Sequence, residues 1–357
     1  MSRILTAFLA FLFLLSACQK PIFDDDTTGG NTTSQATWEK IDFEAERIIL
    51  NMHSTPFQIF AITENEFVRF DFDNKLLEKR PLPLSNGVKG IPAMSDNIFM
   101  RLTTTTQVNQ TIEFHLSRNP AQIHKILGDS LKLPTEDFLE IEFLARRLGA
   151  FKDDGTQFIL PAKSFSNQGN FYVFFLFEFQ LNATADEFVS VDVVHRVEIP
   201  ELAADFGAIS NIRYIEGNYY VSSKEGAFRI TEDGEYNQIF PQWMLDFFPA
   251  NDKIYVTGIS AFDLHESTDD GQTWERLNQN SELKLVEAKG EKLFNHEVEG
   301  HVFKLVNDDL LTTSEIDFHE DIEVDNLSNF YAVEFYNDLF YFNVGREIYF
   351  TEEIVTK

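Results

Sequence analysis

The sequence predicts an all-β chain that folds as a single β-propeller, and three observations support that prediction. Phenylalanine occurs 37 times in 357 residues. It falls with Val, Ile and Tyr in short runs bounded by Asn, Asp and Gly, a composition that is typical of strands. A short motif recurs along the chain at intervals close to the length of a propeller blade. Sustained helical periodicity is scarce.

The N-terminus predicts a signal peptide that ends at a lipidated cysteine. An apolar run from Ile4 to Leu15 follows Arg3. A helix needs roughly 20 residues to span a bilayer, so this run is too short to cross one, but it suits a signal peptide. The next residues, Leu15-Ser16-Ala17-Cys18, resemble a bacterial lipobox, which implies removal of residues 1–17 and acylation of Cys18. The alternative is an ordinary signal peptide that has a cysteine near its end.

The segment behind the cysteine predicts a tether. Residues 18–36 contain Asp24-Asp25-Asp26, two glycines and few apolar side chains, so we expect them to be disordered and acidic. The acidic run is similar to the surface-export signals of Bacteroidota lipoproteins. That resemblance implies an outer-membrane protein on the cell surface rather than on the periplasmic face. A merely solvated linker would have the same composition.

Charge and cysteine content exclude several classes of function. The net charge is −29, and loss of Arg3 with the signal peptide makes it −29 − 1 = −30. Such a chain repels phosphate backbones, so nucleic acid is not expected as a partner. Cys18 is the only cysteine, which excludes disulfides and, if it is acylated, a catalytic thiol. Residues 37–357 remain as the folded domain.

The recurring motif is a pair of turn residues, one further residue and a tight apolar pair, as in Asn251-Asp252-Lys253-Ile254-Tyr255. Its second apolar position occurs at seven places: Ile59, Phe99, Ile159, Tyr220, Tyr255, Phe294 and Tyr341. The steps are 40, 60, 61, 35, 39 and 47 residues, against about 40–50 for a four-stranded blade. Seven blades are therefore predicted, with six or eight as alternatives. We expect a strand from Trp38 to Leu50 to close the ring against Phe340 to Glu353.

The two long steps require insertions. A polar stretch runs from Thr103 to Gln110, and Phe165 to Asp186 is predicted to form a lengthened hairpin around Asn182. Asp137 to Leu148 carries apolar residues at helical spacing, but an edge strand would fit it equally well.

A second motif supports the same fold. Ser267, Asp269, Gly271, Thr273 and Trp274 match every defining position of the Asp-box, or BNR, repeat. The chain therefore resembles Asp-box β-propeller proteins. We expect Asp269 to accept backbone N–H bonds, Gly271 to supply a positive φ, and Trp274 to pack beneath the turn. Eroded copies are predicted at Thr231-Glu232-Asp233-Gly234 and Asp153-Asp154-Gly155. The motif occurs in propellers of unrelated activity, so these residues are interpreted as structural.

The resemblance leaves one enzymatic alternative, a sialidase-like glycoside hydrolase. Such enzymes hold the substrate carboxylate with three arginines and use a Tyr–Glu nucleophile pair with an Asp acid/base. Gly90-Ile91-Pro92 lacks the arginine that precedes Ile-Pro in that family. Five arginines in strand-like contexts still permit a triad: Arg69, Arg101, Arg213, Arg229 and Arg346.

No other catalytic or cofactor motif is present. His296 and His301 are five residues apart, whereas two zinc ligands on one helix face need a spacing of four. The intervening Gly300 predicts a hairpin, on which they would face opposite sides. No metal site and no cofactor are expected. The predicted function is binding or scaffolding at the cell envelope, with a glycan or an envelope protein as ligand and the lipid anchor as the only membrane contact.

Overall fold

The computed structural model describes residues 37–71, 73–82, 88–104, 110–141, 149–167, 169–203, 209–277, 279–297, 302–319, 322 and 332–357. The predicted signal peptide, Cys18 and the tether lie outside these residues. Residues 35–357 belong to one compact unit. The part of this unit that is described contains 29 strands, one short 3-10 turn and no α-helix. The strands form seven antiparallel sheets, arranged as a seven-bladed β-propeller. The all-β prediction and the count of seven blades are both confirmed.

Strand β1 (Glu39–Glu44) belongs to the last blade, and the next eight strands form two simple meanders. Blade 1 consists of β2 (Ile49–Thr55), β3 (Gln58–Thr63), β4 (Glu66–Phe70) and β5 (Leu76–Pro81). Blade 2 consists of β6 (Val88–Met94), β7 (Ile98–Thr104), β8 (Gln110–Leu116) and β9 (Ile123–Leu127). The 3-10 turn η1 (Gly128–Leu131) follows.

Blade 3 differs from the others because its innermost strand is in two pieces. It contains β10 (Phe138–Ile141), β11 (Ala150–Phe151), β12 (Gln157–Ser166), β13 (Gly169–Leu181) and β14 (Phe188–Ala203). Both β10 and β11 pair with the same edge of β12. Residues 138–141 are therefore strand and not helix, while residues 142–148 lie outside the described residues. The long β13–β14 hairpin turns at Asn182, where the backbone N–H donates to the carbonyl of Glu187 (3.1 Å). The predicted lengthened hairpin is found there.

Blades 4 to 6 are again meanders of four strands. Blade 4 consists of β15 (Ile209–Ile215), β16 (Asn218–Ser223), β17 (Gly226–Thr231) and β18 (Tyr236–Phe240). Blade 5 consists of β19 (Met244–Ala250), β20 (Lys253–Gly258), β21 (Leu264–Ser267) and β22 (Glu275–Arg276). Blade 6 consists of β23 (Leu285–Lys289), β24 (Lys292–Glu297), β25 (Val302–Val306) and β26 (Thr313–Glu315).

Blade 7 joins the two ends of the domain. It contains β27 (Val333–Tyr336), β28 (Leu339–Val344) and β29 (Glu347–Thr351), with β1 as its outermost strand. Strands β1 and β29 run antiparallel, with Lys40 opposite Tyr349. Trp38 donates its indole N–H to the carbonyl of Asp317 (3.0 Å) and stacks on Phe318. The predicted ring closure is therefore present.

The recurring motif marks one hairpin in each blade. All seven marker residues lie on the second strand of their blades, and all are buried. The turn before the marker has left-handed backbone in the clearest copy, with φ of 49° at Asn251 and 56° at Asp252. Asn and Asp tolerate this conformation, which matches the twist of a two-residue hairpin. The period of the motif is thus the period of the blades.

The apolar side chains pack between blades. The described residues form seven buried apolar clusters, and each joins the facing surfaces of two neighbouring blades. The largest lies between blades 2 and 3 and contains Phe114, Phe158 and Phe177. The high phenylalanine content is explained by this arrangement, because each blade must present an apolar surface on both faces.

Candidate functional site

The innermost strands of all seven blades line a central channel with a cavity volume of about 270 Å³. The wall belongs to the halves of these strands that lead into the first hairpin of each blade. Apolar side chains alternate with polar ones along the wall. The polar residues are Asn51, His53, Asp153, Arg213, Tyr214, Glu287, Lys289 and Glu334.

A buried carboxylate beside the channel holds three blades together. Asp246, on β19 of blade 5, is fully buried. It accepts hydrogen bonds from Asn211 Nδ2 (2.7 Å), from Arg213 Nε (3.0 Å) and from Arg213 Nη2 (2.8 Å). It also accepts the backbone N–H groups of Phe247 and Val286, each at 2.9 Å. Because Asn211 and Arg213 belong to blade 4 and Val286 to blade 6, this one side chain links blades 4, 5 and 6.

The same contacts fix the channel arginine. Arg213 Nη2 also donates to the carbonyl of Val286 (2.8 Å). Burial by itself lowers the pKa of Arg213, but the charge and hydrogen bonds of Asp246, together with the charge of Glu287, outweigh burial and raise that pKa. Arg213 is therefore a charged side chain committed to its partner, and its role at the channel wall is structural.

A second carboxylate links blades 6, 7 and 1. Glu334, on β27, is 4% exposed. It pairs with Lys289 of blade 6 and accepts the hydroxyl of Ser54 of blade 1 (2.8 Å). The same hydroxyl lies 3.0 Å from the carbonyl of Phe335. Lys289 and Glu334 both line the channel, and each compensates the charge of the other.

Further polar groups of the wall also have partners. His53 Nε2 lies 2.9 Å from Asp96 Oδ1 of blade 2. The Tyr214 hydroxyl donates to Glu232 (2.5 Å), which also pairs with Lys152 (2.9 Å). Burial raises the pKa of the Tyr214 hydroxyl, and the negative charge of Glu232 raises it further. The tyrosine is therefore a neutral donor at physiological pH.

The five arginines considered for a carboxylate clamp do not converge. Of these five only Arg213 lines the channel. The other four have separate neighbours, which are Glu78 for Arg69, Glu113 for Arg101, Asn237 for Arg229 and Glu44 for Arg346. The arrangement required for a sialidase-like site is not found among the described arginines.

The Arg101 cluster lies inside blade 2. Arg101 and His115 are fully buried, and Glu113 is 4% exposed. Burial by itself raises the pKa of Glu113, but hydrogen bonds from His115 and Lys125 and the charge of Arg101 lower it to about 2. The cluster stabilises the interior of the blade and does not line the channel.

The Asp-box residues form the turn between β21 and β22. Asp269 Oδ1 accepts the backbone N–H groups of Gln272 (3.1 Å) and Thr273 (2.8 Å), and Oδ2 accepts the Thr273 hydroxyl (2.7 Å). These bonds, chiefly those from Thr273, lower the pKa of Asp269 to about 2. Ser267 Oγ accepts the N–H of Gly271 (2.9 Å), whose φ is 75°.

Trp274 lies beneath this turn, with its ring centroid 5.2 Å from Phe240 of blade 4 and 5.7 Å from Phe247 of blade 5. The turn is thus attached to the apolar cluster between these blades.

Membership of the Asp-box family stays a prediction from the five residues. Of the two predicted eroded copies, Thr231-Glu232-Asp233-Gly234 forms the equivalent turn of blade 4. Asp153-Asp154-Gly155 instead lies between β11 and β12, at the inner hairpin.

The two carboxylates that join neighbouring blades at the channel were not predicted from the sequence. Asp246 and Glu334 are acidic residues inside otherwise apolar strands, and an acidic residue in a buried position nearly always has a partner. That signal was present, but the partners lie on other blades.

A turn like the Asp-box was missed as well: Asp309 accepts the N–H groups of Leu311 (2.8 Å) and Thr312 (2.9 Å). It lacks the Gly and Trp of the motif.

The rejected metal motif remains outside the candidate site. His296 is 1% exposed and stacks on Phe303, with 4.6 Å between ring centroids, and His301 lies outside the described residues. No group of three or more His, Cys, Asp or Glu side chains in the described ranges could hold a metal ion. Nor does any helix long and apolar enough to cross a membrane occur in them.

Comparison with known proteins adds information on the fold. No protein-family model matches the chain, and no curated protein matches its sequence. The structure is similar to the extracellular domain of the hybrid two-component system BT4673 from B. thetaiotaomicron, with a TM-score of 0.50, 11% identity and coverage of 88% of this chain and 40% of that one.

Two further structures are similar at lower scores. PorZ, a surface component of the type-IX secretion system of Porphyromonas gingivalis, has a TM-score of 0.44 and 11% identity over 90% of this chain and 39% of that one. BamB from Moraxella catarrhalis has a TM-score of 0.43 and 11% identity over 85% and 84%. The chain spans about two fifths of the length of PorZ and of the BT4673 domain. Both of these come from Bacteroidota. At such identity the similarity concerns the fold alone.

Proposed function

We propose that this chain is a cell-envelope lipoprotein, anchored through Cys18, that presents its propeller as a binding or scaffold domain for an envelope glycan or an envelope protein. The observation that carries the proposal is that charged groups at the channel are paired with each other. Its best-placed charged groups, Arg213 with Asp246 and Lys289 with Glu334, are engaged in contacts between blades. These contacts stabilise the ring of blades. We therefore place ligand binding at the exposed loops.

The acidic tether supports a position outside the cell. Net charge far from zero favours solubility, and a segment of this composition behind Cys18 is suited to hold the domain away from the bilayer. The alternative, a sialidase-like hydrolase, has less support, because the arginines that line or approach the channel in the described ranges do not form a triad.

The anchor is tested with Cys18→Ser in the full-length chain, expressed in a Bacteroidota host. We expect the native protein in the membrane fraction, accessible to protease added to intact cells, and the variant outside that fraction. Ser16→Ala keeps a small residue in the lipobox and is the matched control, expected to behave as the native protein. Retention of Cys18→Ser in the membrane fraction would contradict the proposal.

Binding and hydrolysis are separated with the detergent-solubilised full-length protein. We expect no release of product from a fluorogenic sialoside, and cross-linking on intact cells should yield one stoichiometric adduct with a glycan or an envelope protein. Turnover of the sialoside above that of heat-unfolded protein would instead establish the hydrolase.

A further inference from the structure

The two faces of the propeller differ in their loops. One face carries the first turn of every blade and the third turns of blades 1 to 6. On the described residues each blade places at least one acidic residue there, for example Asp96 in blade 2, Asp252 in blade 5 and Asp338 in blade 7. The other face carries the second turns and the connections between blades. The features that follow all belong to this second face.

A stripe of four residues crosses this face from blade 4 to blade 6. Lys224, in the β16–β17 turn, places its ammonium 5.4 Å from the centre of the Trp243 ring. Trp243 precedes β19 and Ile259 follows β20, and because Met244 pairs with Gly258 they stand at the same end of that ladder. Lys284, which precedes β23, donates to the carbonyl of Ile259 (3.2 Å). We call Lys224, Trp243, Ile259 and Lys284 the Lys–Trp stripe.

The stripe is apolar in the middle and open to solvent. Ile259 is 51% exposed, and Phe262 in the same turn is 53% exposed. The backbone of Phe262 is fixed by Arg276, which donates Nε to its carbonyl (2.9 Å). The indole N–H of Trp243 donates to Ser210 Oγ (3.4 Å). The aromatic and aliphatic groups are therefore held at the surface by specific contacts and are not collapsed into the core.

The two lysines of the stripe differ from their neighbours in charge pairing. The neighbouring cation, Arg276 of blade 5, pairs with the carboxylate of Asp263. Neither Lys224 nor Lys284 makes an ion pair with any carboxylate that the structure describes. In a chain of net charge −29, two ammonium groups that make no ion pair with a described carboxylate, one of them over the half-buried indole of Trp243, form a local site for an anion.

The size of the stripe decides between two kinds of partner. A stable protein–protein interface buries about 800 Å² on each side. A whole aromatic side chain presents only about 150–250 Å², so Trp243, Ile259 and Phe262, each partly exposed, supply much less than that. An extended chain that carries a charge at intervals and an apolar face between the charges needs only a narrow track. Acidic polysaccharides have this chemistry, since sugar rings present C–H faces between carboxylate or sulfate groups.

We infer that the Lys–Trp stripe binds an anionic polysaccharide, with Lys224 and Lys284 contacting its acidic groups. Trp243, together with Phe262 next to the stripe, contacts its sugar rings. The inference rests on the proposed binding function and names the ligand class and the surface. Lys224 is exposed, and among the described residues its ammonium contacts only the indole ring, so its side chain can move to the ligand without breaking an ion pair to any of them.

The test is affinity electrophoresis of the full-length protein in detergent, in gels that contain polygalacturonate, chondroitin sulfate, neutral dextran or poly-L-glutamate. About 0.15 M salt limits the range of the protein's overall negative charge to roughly 8 Å, so that contacts at the stripe decide the result. We expect retardation by polygalacturonate or by chondroitin sulfate, which separates a carboxylate from a sulfate ligand. Dextran and poly-L-glutamate should have no effect.

Three variants locate the site. Lys224→Gln combined with Lys284→Gln should weaken retardation by about tenfold, as expected for the loss of two exposed charge contacts. Trp243→Leu keeps an apolar side chain and should weaken it as well. Lys292→Gln removes an exposed lysine on the opposite face of the propeller, beside the first turn of blade 6. It is the matched control and is expected to bind as the native protein does. Thermal unfolding of each variant establishes that the fold is retained.

The outcomes are distinct. Equal retardation of the native protein and the double-lysine variant would overturn the inference, as would the absence of retardation by either acidic polysaccharide. Retardation by poly-L-glutamate equal to that by polygalacturonate would show an acidic polypeptide site instead. If the gels show no binding while cross-linking on cells still captures one partner, the inference fails and the proposed function stands. Cleavage of a sialoside would overturn the proposed function itself.

Discussion

At the scale of single residues, the most consequential side chain is Asp246. A carboxylate removed from water needs compensation by hydrogen bonds and opposite charge. Asp246 obtains both from three blades, through Asn211, Arg213 and Val286. The contact is asymmetric in its energetics, because loss of the acid would leave Arg213, with a side chain only 12% exposed, charged and without its counter-ion.

We therefore expect Asp246→Asn to lower the free energy of unfolding by about 3–5 kcal/mol, the range for breaking one side of a buried ion pair. Asparagine has nearly the same shape, so the effect reports charge and not volume. Urea unfolding at pH 7, followed by tryptophan fluorescence, measures it. Asp252→Asn, on an exposed turn of the same blade, should change the value by no more than about 0.5 kcal/mol. Equal midpoints for the two variants would contradict the role assigned to Asp246.

At the scale of elements, the turns carry the repeat. Two glycines with similar backbone conformation stand in different surroundings. Gly271 of the Asp-box turn has φ of 75°, and a Cβ there would lie 2.5 Å from Tyr220 Oη. That hydroxyl donates to the carbonyl of Asp270 (3.0 Å). Gly217, in the first hairpin of blade 4, has φ of 84° and no atom within 4 Å of the added Cβ.

The pair permits a matched experiment on Gly271→Ala and Gly217→Ala. Both variants should be destabilised by about 1–2 kcal/mol through backbone strain. In Gly271→Ala the free energy of unfolding should fall by about 1–3 kcal/mol more, because the added methyl group is too close to Tyr220. Urea unfolding of the two variants side by side measures the difference. A difference near zero would mean that the Asp-box turn moves freely away from blade 4.

The hairpins were predictable from sequence because their signals are local. Asn251 and Asp252 favour the left-handed turn, and the following apolar pair belongs to the same strand, so a few residues contain the whole signal. Asp246 was not predictable in this way, since its partners lie 33 to 40 residues away on other blades. The innermost strand of blade 3 was ambiguous for a related reason. The apolar spacing of residues 137–148 covers β10 and also residues 142–148, which lie outside the described residues.

The candidate site was less predictable than the fold. Arg213 was recognised as a possible ligand of a substrate carboxylate, but its actual carboxylate is Asp246 of its own chain. Lys224, Trp243, Ile259 and Lys284 share no sequence pattern, because they come from four different loops. Only the assembly of blades 4 to 6 brings them together. A repeat can be read from spacing, whereas a surface made of loops depends on the tertiary structure.

At the scale of the whole molecule, the ring is closed in blade 7, where the first described strand pairs with the last. Each apolar cluster needs the blade on either side, and β1 completes blade 7 from the opposite end of the domain. Ile41 and Phe43 of β1 are 2% and 9% exposed and pack in the cluster between blades 7 and 1. Burial of two such side chains contributes about 3–6 kcal/mol, a large fraction of the 5–15 kcal/mol or so that is typical of a folded protein.

Deletion of residues 39–44 should therefore lower the thermal midpoint sharply and leave the edge of β29 unpaired, which invites self-association. Differential scanning calorimetry and light scattering measure the two effects. Lys40→Gln removes only the exposed pair with Glu347 and should shift stability by less than about 1 kcal/mol. A synthetic peptide of residues 37–46, added in excess to the deletion variant, should bind the open edge and raise the midpoint as its concentration rises. A monomeric deletion variant with an unchanged midpoint, indifferent to the peptide, would mean that the remaining strands hold the ring without its closing strand.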